Sequence, residues 1–501
     1  MLTSKEKSLD RFIHVVVCGW PRRTATFLNA RDCLGSVGKA DRRPENSTGH
    51  DLAASRLLED LNGRDCLMTA GKIETAGVSA QLTVTPPEPS RVSQRGLDYF
   101  NLFLAGLLAG FGPFVAGYLS SEHWSKVEIG FVLTLGGLVG LVSQIPGGEL
   151  LDRAPAKRLI ATLGVSMVAL AALVLALNPT FPLVLAAEIL QGVTGGFLGP
   201  AVAAISLGLV GHDALPVRLG RNQRFAAIGG LSAALLMGLL GYEFSNRAIF
   251  LAAAALAVPT LIALRSIRSA DIHFARACNA PPGKYHPKHP PRTPRMFIGM
   301  NLHLLTFACG ITLFQFANAS MLPLAAEGLG SARSSSLILS ILITVPQLIV
   351  AALGPWVGRT ADSWGRRPLL LIGLSAQPLR AACFALSTDP ALLVAAQVLD
   401  GISGSVIGVL TPLVVADITK GSGRFNLAQG MVGTFSGIGA AVSTTAINVV
   451  AQNFGNAAGF MAIAAVALAA VAVQWAWMPE TKQPYPLQRP PTGFGAQGST
   501  T

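Results

Sequence analysis

Charge is the scarcest commodity in this chain. Only 13% of its 501 residues are Asp, Glu, Lys or Arg, roughly half the usual share of a soluble domain. Cysteine is scarce as well. Cys18, Cys33, Cys66, Cys278, Cys309 and Cys383 show no C-x-x-C or other ligand spacing, which excludes a disulfide framework and a zinc site. There is no G-x-x-x-x-G-K-[ST] phosphate loop, and no cluster of nucleophile, base and carboxylate stands out. No catalytic residue, metal or cofactor is therefore expected. The chain does not read as an enzyme, and any work it does must draw on a solute or ion gradient.

What it has instead is apolar residues, 51% of the total, with a mean hydropathy of +0.51. They lie in long blocks such as LIATLGVSMVALAALVLALN (159–178) and AIFLAAAALAVPTLIAL (248–264). Blocks of this length, about 17–25 residues, are what a helix needs to cross a bilayer. Twelve such spans are predicted, at 98–120, 127–146, 159–178, 181–205, 224–243, 247–264, 297–323, 335–355, 369–387, 391–416, 426–450 and 456–478. The fold class is all-α, a multi-pass membrane protein of 12 transmembrane helices. Its high Ala and Gly content suits close helix packing in lipid.

The basic residues orient these spans. With the N-terminus inside, 34 of the 38 Lys and Arg fall on the cytoplasmic side, and without the N-terminal extension the ratio is still 20 to 4. The net charge of +12 thus reads as topology, with the lipid bilayer and its anionic headgroups as partner and no nucleic acid. Both termini are expected in the cytoplasm of a plasma or inner membrane. The expected organisation is a disordered N-terminal tail (1–95), a six-helix bundle (96–265), a basic, Pro-rich cytoplasmic linker (266–295), a second six-helix bundle (296–478) and a C-terminal tail (479–501).

The halves repeat one another. At an offset of 210, Gly148, Asp152 and Lys157 of GGELLDRAPAKR fall on Gly358, Asp362 and Arg367 of GRTADSWGRR, and Pro113 falls on Pro323. At 209, Gln191-Gly192 falls on Asp400-Gly401. Two parallel six-helix halves about an axis normal to the membrane form a known transporter architecture.

The pattern G-x-x-x-D-R-x-x-x-K-R after the second span, echoed as G-x-x-x-D-x-x-G-R-R after the eighth, resembles the major facilitator superfamily over residues 98–478. The resemblance implies two pseudo-symmetric bundles that rock about a central path, with these loops as a cytoplasmic latch. Gly148 and Gly358 permit close approach of a neighbouring helix. Asp152 and Asp362 are placed to face the positive N-terminal end of a helix in the opposite half. Arg153, Lys157, Arg158, Gly365, Arg366 and Arg367 complete the motif, the basic ones supplying charge partners. The chain departs from the family at Pro155-Ala156, where Gly and a basic residue are usual. It departs again at Glu188, which stands where R-x-x-Q-G would carry Arg, and in the fifth span, which lacks the Gly-Pro pair of antiporters.

Ionisable groups inside lipid are costly and mark function by default. Three stand out: Glu188, Arg380 and Asp400. Arg380 and Asp400 sit at similar depth on spans joined by a short turn, so they are expected to pair, either to brace the bundle or to couple proton binding to helix packing. Glu188 has no basic partner nearby in sequence, which suits a proton carrier, or a carboxylate facing water or bonded to a neighbouring span. Asn101, Gln144, Gln191, His303, Gln315 and Asn318 are polar residues within spans, available to a substrate cavity or to bonds between helices. Gln315 and Asn318 share one helix face.

The resemblance implies a secondary transporter working by alternating access, with a small organic substrate, protons as the coupling ion, and a monomer as the working unit. Proton-coupled export by an antiporter is the leading expectation. Uptake by symport, or facilitated diffusion, is the alternative, and a receptor using the N-terminal tail is a third.

Overall fold

The computed structural model describes residues 89–280, 302–329, 333–387 and 389–482. The expected tail over 1–88, linker residues 281–301 and the end of the chain from 483 lie outside them. Every regular element among the described residues is helical. The first crossing is split into α1 (Arg91–Ala109) and α2 (Pro113–Ser121). There follow α3 (Lys126–Arg153), α4 (Lys157–Leu177), α5 (Phe181–Val210), α6 (Leu215–Glu243) and α7 (Asn246–Ser266), then a short α8 (Phe274–Ala277). The second half runs α9 (Leu302–Ala319) and α10 (Met321–Leu329), again one split crossing, then α11 (Arg333–Trp364), α12 (Arg366–Leu386), α13 (Pro390–Ile418), α14 (Phe425–Phe454) and α15 (Asn456–Trp477). Among the described residues, twelve helical segments are long and apolar enough to cross a membrane.

Local chemistry sets the breaks. Gly112 adopts φ +74°, a conformation that costs glycine little, and Pro113 then opens α2 at its first turn. The second half splits at the matching place, between Ala319 and Met321 just before Pro323. Ser125 and Glu128 form a reciprocal capping box that starts α3.

Several helices outrun their apolar blocks on one side. The stretch predicted as a loop from 147 to 153 is the last two turns of α3, GRNQRF lies inside α6, and GRTADSW ends α11. Hydropathy marks where lipid ends, but a helix continues at little cost while its backbone bonds are made and its polar side chains find partners. The Arg153–Glu149 pair, four residues apart, is one such partner.

Leu163, Leu170, Val258 and Ile262 are more than half exposed and point away from the bundle, as lipid-facing residues do. Trp364, Trp475 and Trp477, also exposed, cluster near the motif-bearing end, where amphipathic rings suit the headgroup level. Across the two halves α3 packs on α14 and α6 packs on α11. One apolar cluster lies wholly in the first half and another wholly in the second. A third joins Leu207, Leu215 and Leu219 of the first half to Val357, Leu413 and Val414 of the second. Among the described residues, the buried apolar cluster that the halves share reaches the motif-bearing end.

Candidate functional site

The motif-bearing end, the expected gate, is closed: the two halves meet there. Asp152, at the end of α3, accepts hydrogen bonds from the backbone N–H groups of Asn426 (3.1 Å) and Leu427 (2.8 Å) and from the Asn426 side chain (2.8 Å). One carboxylate thus caps the first turn of α14 in the opposite half, where orphan N–H groups and the helix dipole favour an anion. Gly148 lets the helices meet: an added methyl group would fall on the Asn426 carbonyl and the Leu427 Cα. Gly148→Val is expected to hold the gate apart and cut transport at least ~10-fold, whereas Gly130→Val, where an added carbon meets nothing within 4 Å, keeps it; solute flux into vesicles checks both.

The second motif copy is built differently. Gly358 packs against the Pro216 carbonyl and Gly220 of α6 across the halves, but Asp362 does not cap that helix as the sequence repeat predicts. It pairs within its own half with Arg366, four residues on, at 3.3 Å and is 41% exposed. The reason lies in its neighbours. Arg366 is drawn to Asp417 (2.9 Å) and to the Ala361 carbonyl (2.8 Å), and Glu480 takes the backbone N–H groups of Arg366 and Arg367. Asp417 then reaches the first half itself, 2.7 Å from His212 Nε2. Gly365, at φ +95°, makes the turn into α12, and Arg367 donates to the Trp475 carbonyl.

Basic residues of the first copy hold a strap. Arg153 is exposed and spent on Glu149. Arg158 donates to the Ile267 carbonyl (2.7 Å). Lys157 is buried; it donates to the Leu151 carbonyl and the Cys278 sulfur, under the Phe274 ring. Residues 267–280, expected as plain linker, fold across the gate. Cys278 donates to the Asp152 carbonyl at 3.3 Å and its own carbonyl accepts from Phe425. The Asn279 side chain donates to the Ala416 carbonyl in the second half (2.5 Å). Burial pushes the Cys278 thiol up to about 11. At the strap's start, hydroxyls of Ser90 and Ser93 hold the Asp271 carboxyl below its usual range.

Beyond the gate the halves part around two adjoining clefts. One, of about 310 Å³, lies between them and is lined by Gln144, Gln315, Thr411, Gln429 and Ser436 with glycines of α5 and α14. The other, of about 450 Å³, lies between α3 and α5 and includes Glu188 and Gln191. Gln144 and Gly195 border both. Glu188 is 6% exposed, packs against Gly136, and forms no ion pair among the described residues; its Oε1 has no hydrogen-bond partner there.

Arg380 and Asp400 do meet, at 2.6 Å, with Arg380 wholly enclosed. Asn318 accepts from Arg380 (3.0 Å) and from Gln377 (3.0 Å), so its amide oxygen is spent in this cluster. Asn101 turns back onto the Leu97 carbonyl at 2.7 Å. Sequence reading missed a second buried cluster, Asp98 on α1 held by Arg218 and Arg221 of α6 at 2.5 Å each. Arg218 and Arg221 read from the sequence only as topology charges, Asp98 stands at a predicted span edge, and the 120-residue separation of Asp98 and Arg218 carries no signal.

The family model described as Major Facilitator Superfamily matches residues 99–341 and 303–498. Uncharacterized MFS-type transporters of two Mycobacterium tuberculosis strains are each 37% identical over 403 residues, covering 78% of this chain and 94% of theirs. A class B tetracycline resistance protein of Escherichia coli is 32% identical over 99 residues, 20% of this chain and 24% of its own. Among solved structures, a proton:xylose symporter superposes with TM-score 0.60 at 14% identity, over 78% of this chain and 97% of that one. The human organic anion transporter TETRAN does so with TM-score 0.54 at 15% identity, over 76% and 98%. Both show a shared fold.

Proposed function

Since the chain belongs to the major facilitator superfamily and is a multi-pass membrane transporter, we propose that it exports a small organic compound in exchange for protons, with Glu188 as the proton carrier. In this reading the protein works as a monomer in the cell membrane with both termini in the cytoplasm, and the closed gate faces the cytoplasm. The cleft then opens outward. The observation that carries the reading is Glu188 itself, a carboxylate enclosed beside the cleft with no cation paired to it among the described residues. The stretch shared with a tetracycline resistance protein favours export over uptake.

The mechanism follows from the cost of a bare charge in a dry site. While the outward cleft is open, water reaches Glu188 and solvates its carboxylate. Gly136 and Gly192 already hold α3 against α5 beside Glu188, so closing the cleft strips away the water that remains there and is favourable only when Glu188 carries a proton. After the halves rock, the cytoplasmic side opens. Substrate then binds with a hydrogen-bond donor facing Glu188, the proton leaves as that donor takes its place, and the loaded carrier returns with the carboxylate still partnered. Arg380 and Asp400 neutralise each other and brace α9, α12 and α13 throughout.

Proton release tests this. Adding tetracycline to purified protein in weakly buffered detergent solution is expected to release about one proton per bound molecule. Glu188→Gln is expected to release none. Equal release from both, or none from the wild type, contradicts the assignment.

A further inference from the structure

We propose that the cavity between the halves selects an uncharged, planar solute bearing both a hydrogen-bond donor and an acceptor, such as an aromatic carboxamide. The proposal rests on the transporter reading above and names the substrate class of that same path.

The first ground is charge. None of the residues lining the cavity is ionisable, although it lies on the axis between the two halves. The carboxyl of Glu188 lies in the adjoining cleft and not on this wall, and Arg380 and Asp400 are spent on each other at 2.6 Å. An ion entering this cavity would exchange its hydration for neutral amides and backbone, at a cost that no fixed counter-charge on the wall offsets. A neutral solute pays far less.

The second ground is hydrogen bonding. Gln144 Oε1, Gln429 Nε2 and Thr411 Oγ1 are buried polar atoms on this wall with no hydrogen-bond partner among the described residues. Buried polar atoms are nearly always paired. Here an acceptor from α3 and a donor from α14 stand on opposite halves, with a hydroxyl that serves as either. A group offering one N–H and one C=O satisfies the pair, and a carboxamide offers both on one edge.

The third ground is shape. Gly195 and Gly199, one turn apart on α5, both line the cavity, and a carbon added to either would meet nothing within 4 Å. Neither glycine is there for helix packing, unlike Gly196, which packs against Ser143. Together they leave a flat backbone shelf. Ile311, Ile407 and Val432 supply apolar contacts around it. A flat ring fits the shelf and buries its faces while its amide edge reaches the two glutamines.

Benzamide, benzoate and benzamidinium share one shape and differ in charge, and saturation-transfer NMR on the detergent-purified full chain reads weak binding of each. Benzamide is expected to show at least three-fold more transfer than either ion. Gly199→Leu, which fills the shelf, is expected to remove that signal. Gln429→Glu, which sets a fixed anion in the wall, is expected to invert the order in favour of benzamidinium, a gain that a misfolded variant cannot produce. Equal or stronger binding of either ion to the wild type, benzamide binding that survives Gly199→Leu, no inversion by Gln429→Glu, or no binding of any probe each overturns the proposal. Proton release at Glu188 is read separately, so the coupling reading and this one fail independently.

Discussion

Asp152→Ala is expected to speed the reaction of Cys278 with a water-soluble maleimide by roughly 30-fold or more. Cys278 is fully buried within the strap, in contact with Lys157 and the Asp152 backbone. It is reached only when the gate opens. The Asp152 carboxylate accepts three hydrogen bonds from the start of α14. Removing it leaves those N–H groups buried without that partner, and losing hydrogen bonds to a charged group costs at least about 2 kcal/mol. That cost is about 30-fold in the gate equilibrium.

The thiol's own titration works in the same direction. Burial holds it near 11 in the closed state, so at neutral pH it is the unreactive thiol. Once exposed to water it returns toward ~8.5 and the thiolate fraction rises. Labelling of the closed protein should therefore climb with pH toward about 11, and that of Asp152→Ala should already be fast at pH 8. The measurement uses a chain whose other cysteines are alanine. Glu149→Ala, which removes only the exposed pair with Arg153, should change nothing beyond two-fold. Equal labelling of Asp152→Ala and wild type would remove the cap from the gate.

Arg380→Met should be the most damaging substitution for folding. It strands Asp400, whose side chain is 22% exposed, beside Asn318 and Gln377 without its cation, and losing a hydrogen bond to a charged group costs about 1.5–3 kcal/mol. The expected result is a large fall in thermal midpoint and in yield from the membrane. Adding Asp400→Leu removes the stranded charge, and most of the loss should be recovered. The double variant also decides what the pair is for. If it braces α9, α12 and α13, as proposed, the recovered protein still moves protons with solute. A double variant that folds yet moves none would transfer the coupling role from Glu188 to the pair.

The twelve crossings were legible because lipid imposes a length on apolar blocks, and the duplication because Gly148, Asp152 and Pro113 have counterparts at one offset. The Arg380–Asp400 pair was legible because a short turn sets both residues at one depth. What escaped lies across long separations. Asp98 finds Arg218 some 120 residues on. Asp152 meets a helix start of the opposite half as expected, but nothing in the sequence says that the two motif copies diverge, one as an inter-half cap and the other as an internal pair with Arg366. The strap at 267–280 escaped for another reason: a basic, polar stretch reads as linker, yet Ala277 and Cys278 sit at zero exposure because both halves close on them. Asn318 and Asn101 read equally well as cavity residues, and only partner geometry shows Asn318 in the ion cluster and Asn101 on its own helix.

Solute and proton are proposed to exchange through Glu188. The most direct test encloses a pH dye in vesicles carrying the purified protein and adds tetracycline or benzamide, with and without an imposed proton gradient. The expected result is proton movement that requires solute and vanishes in Glu188→Gln. Solute flux that ignores the gradient and survives Glu188→Gln would contradict it and leave a facilitator.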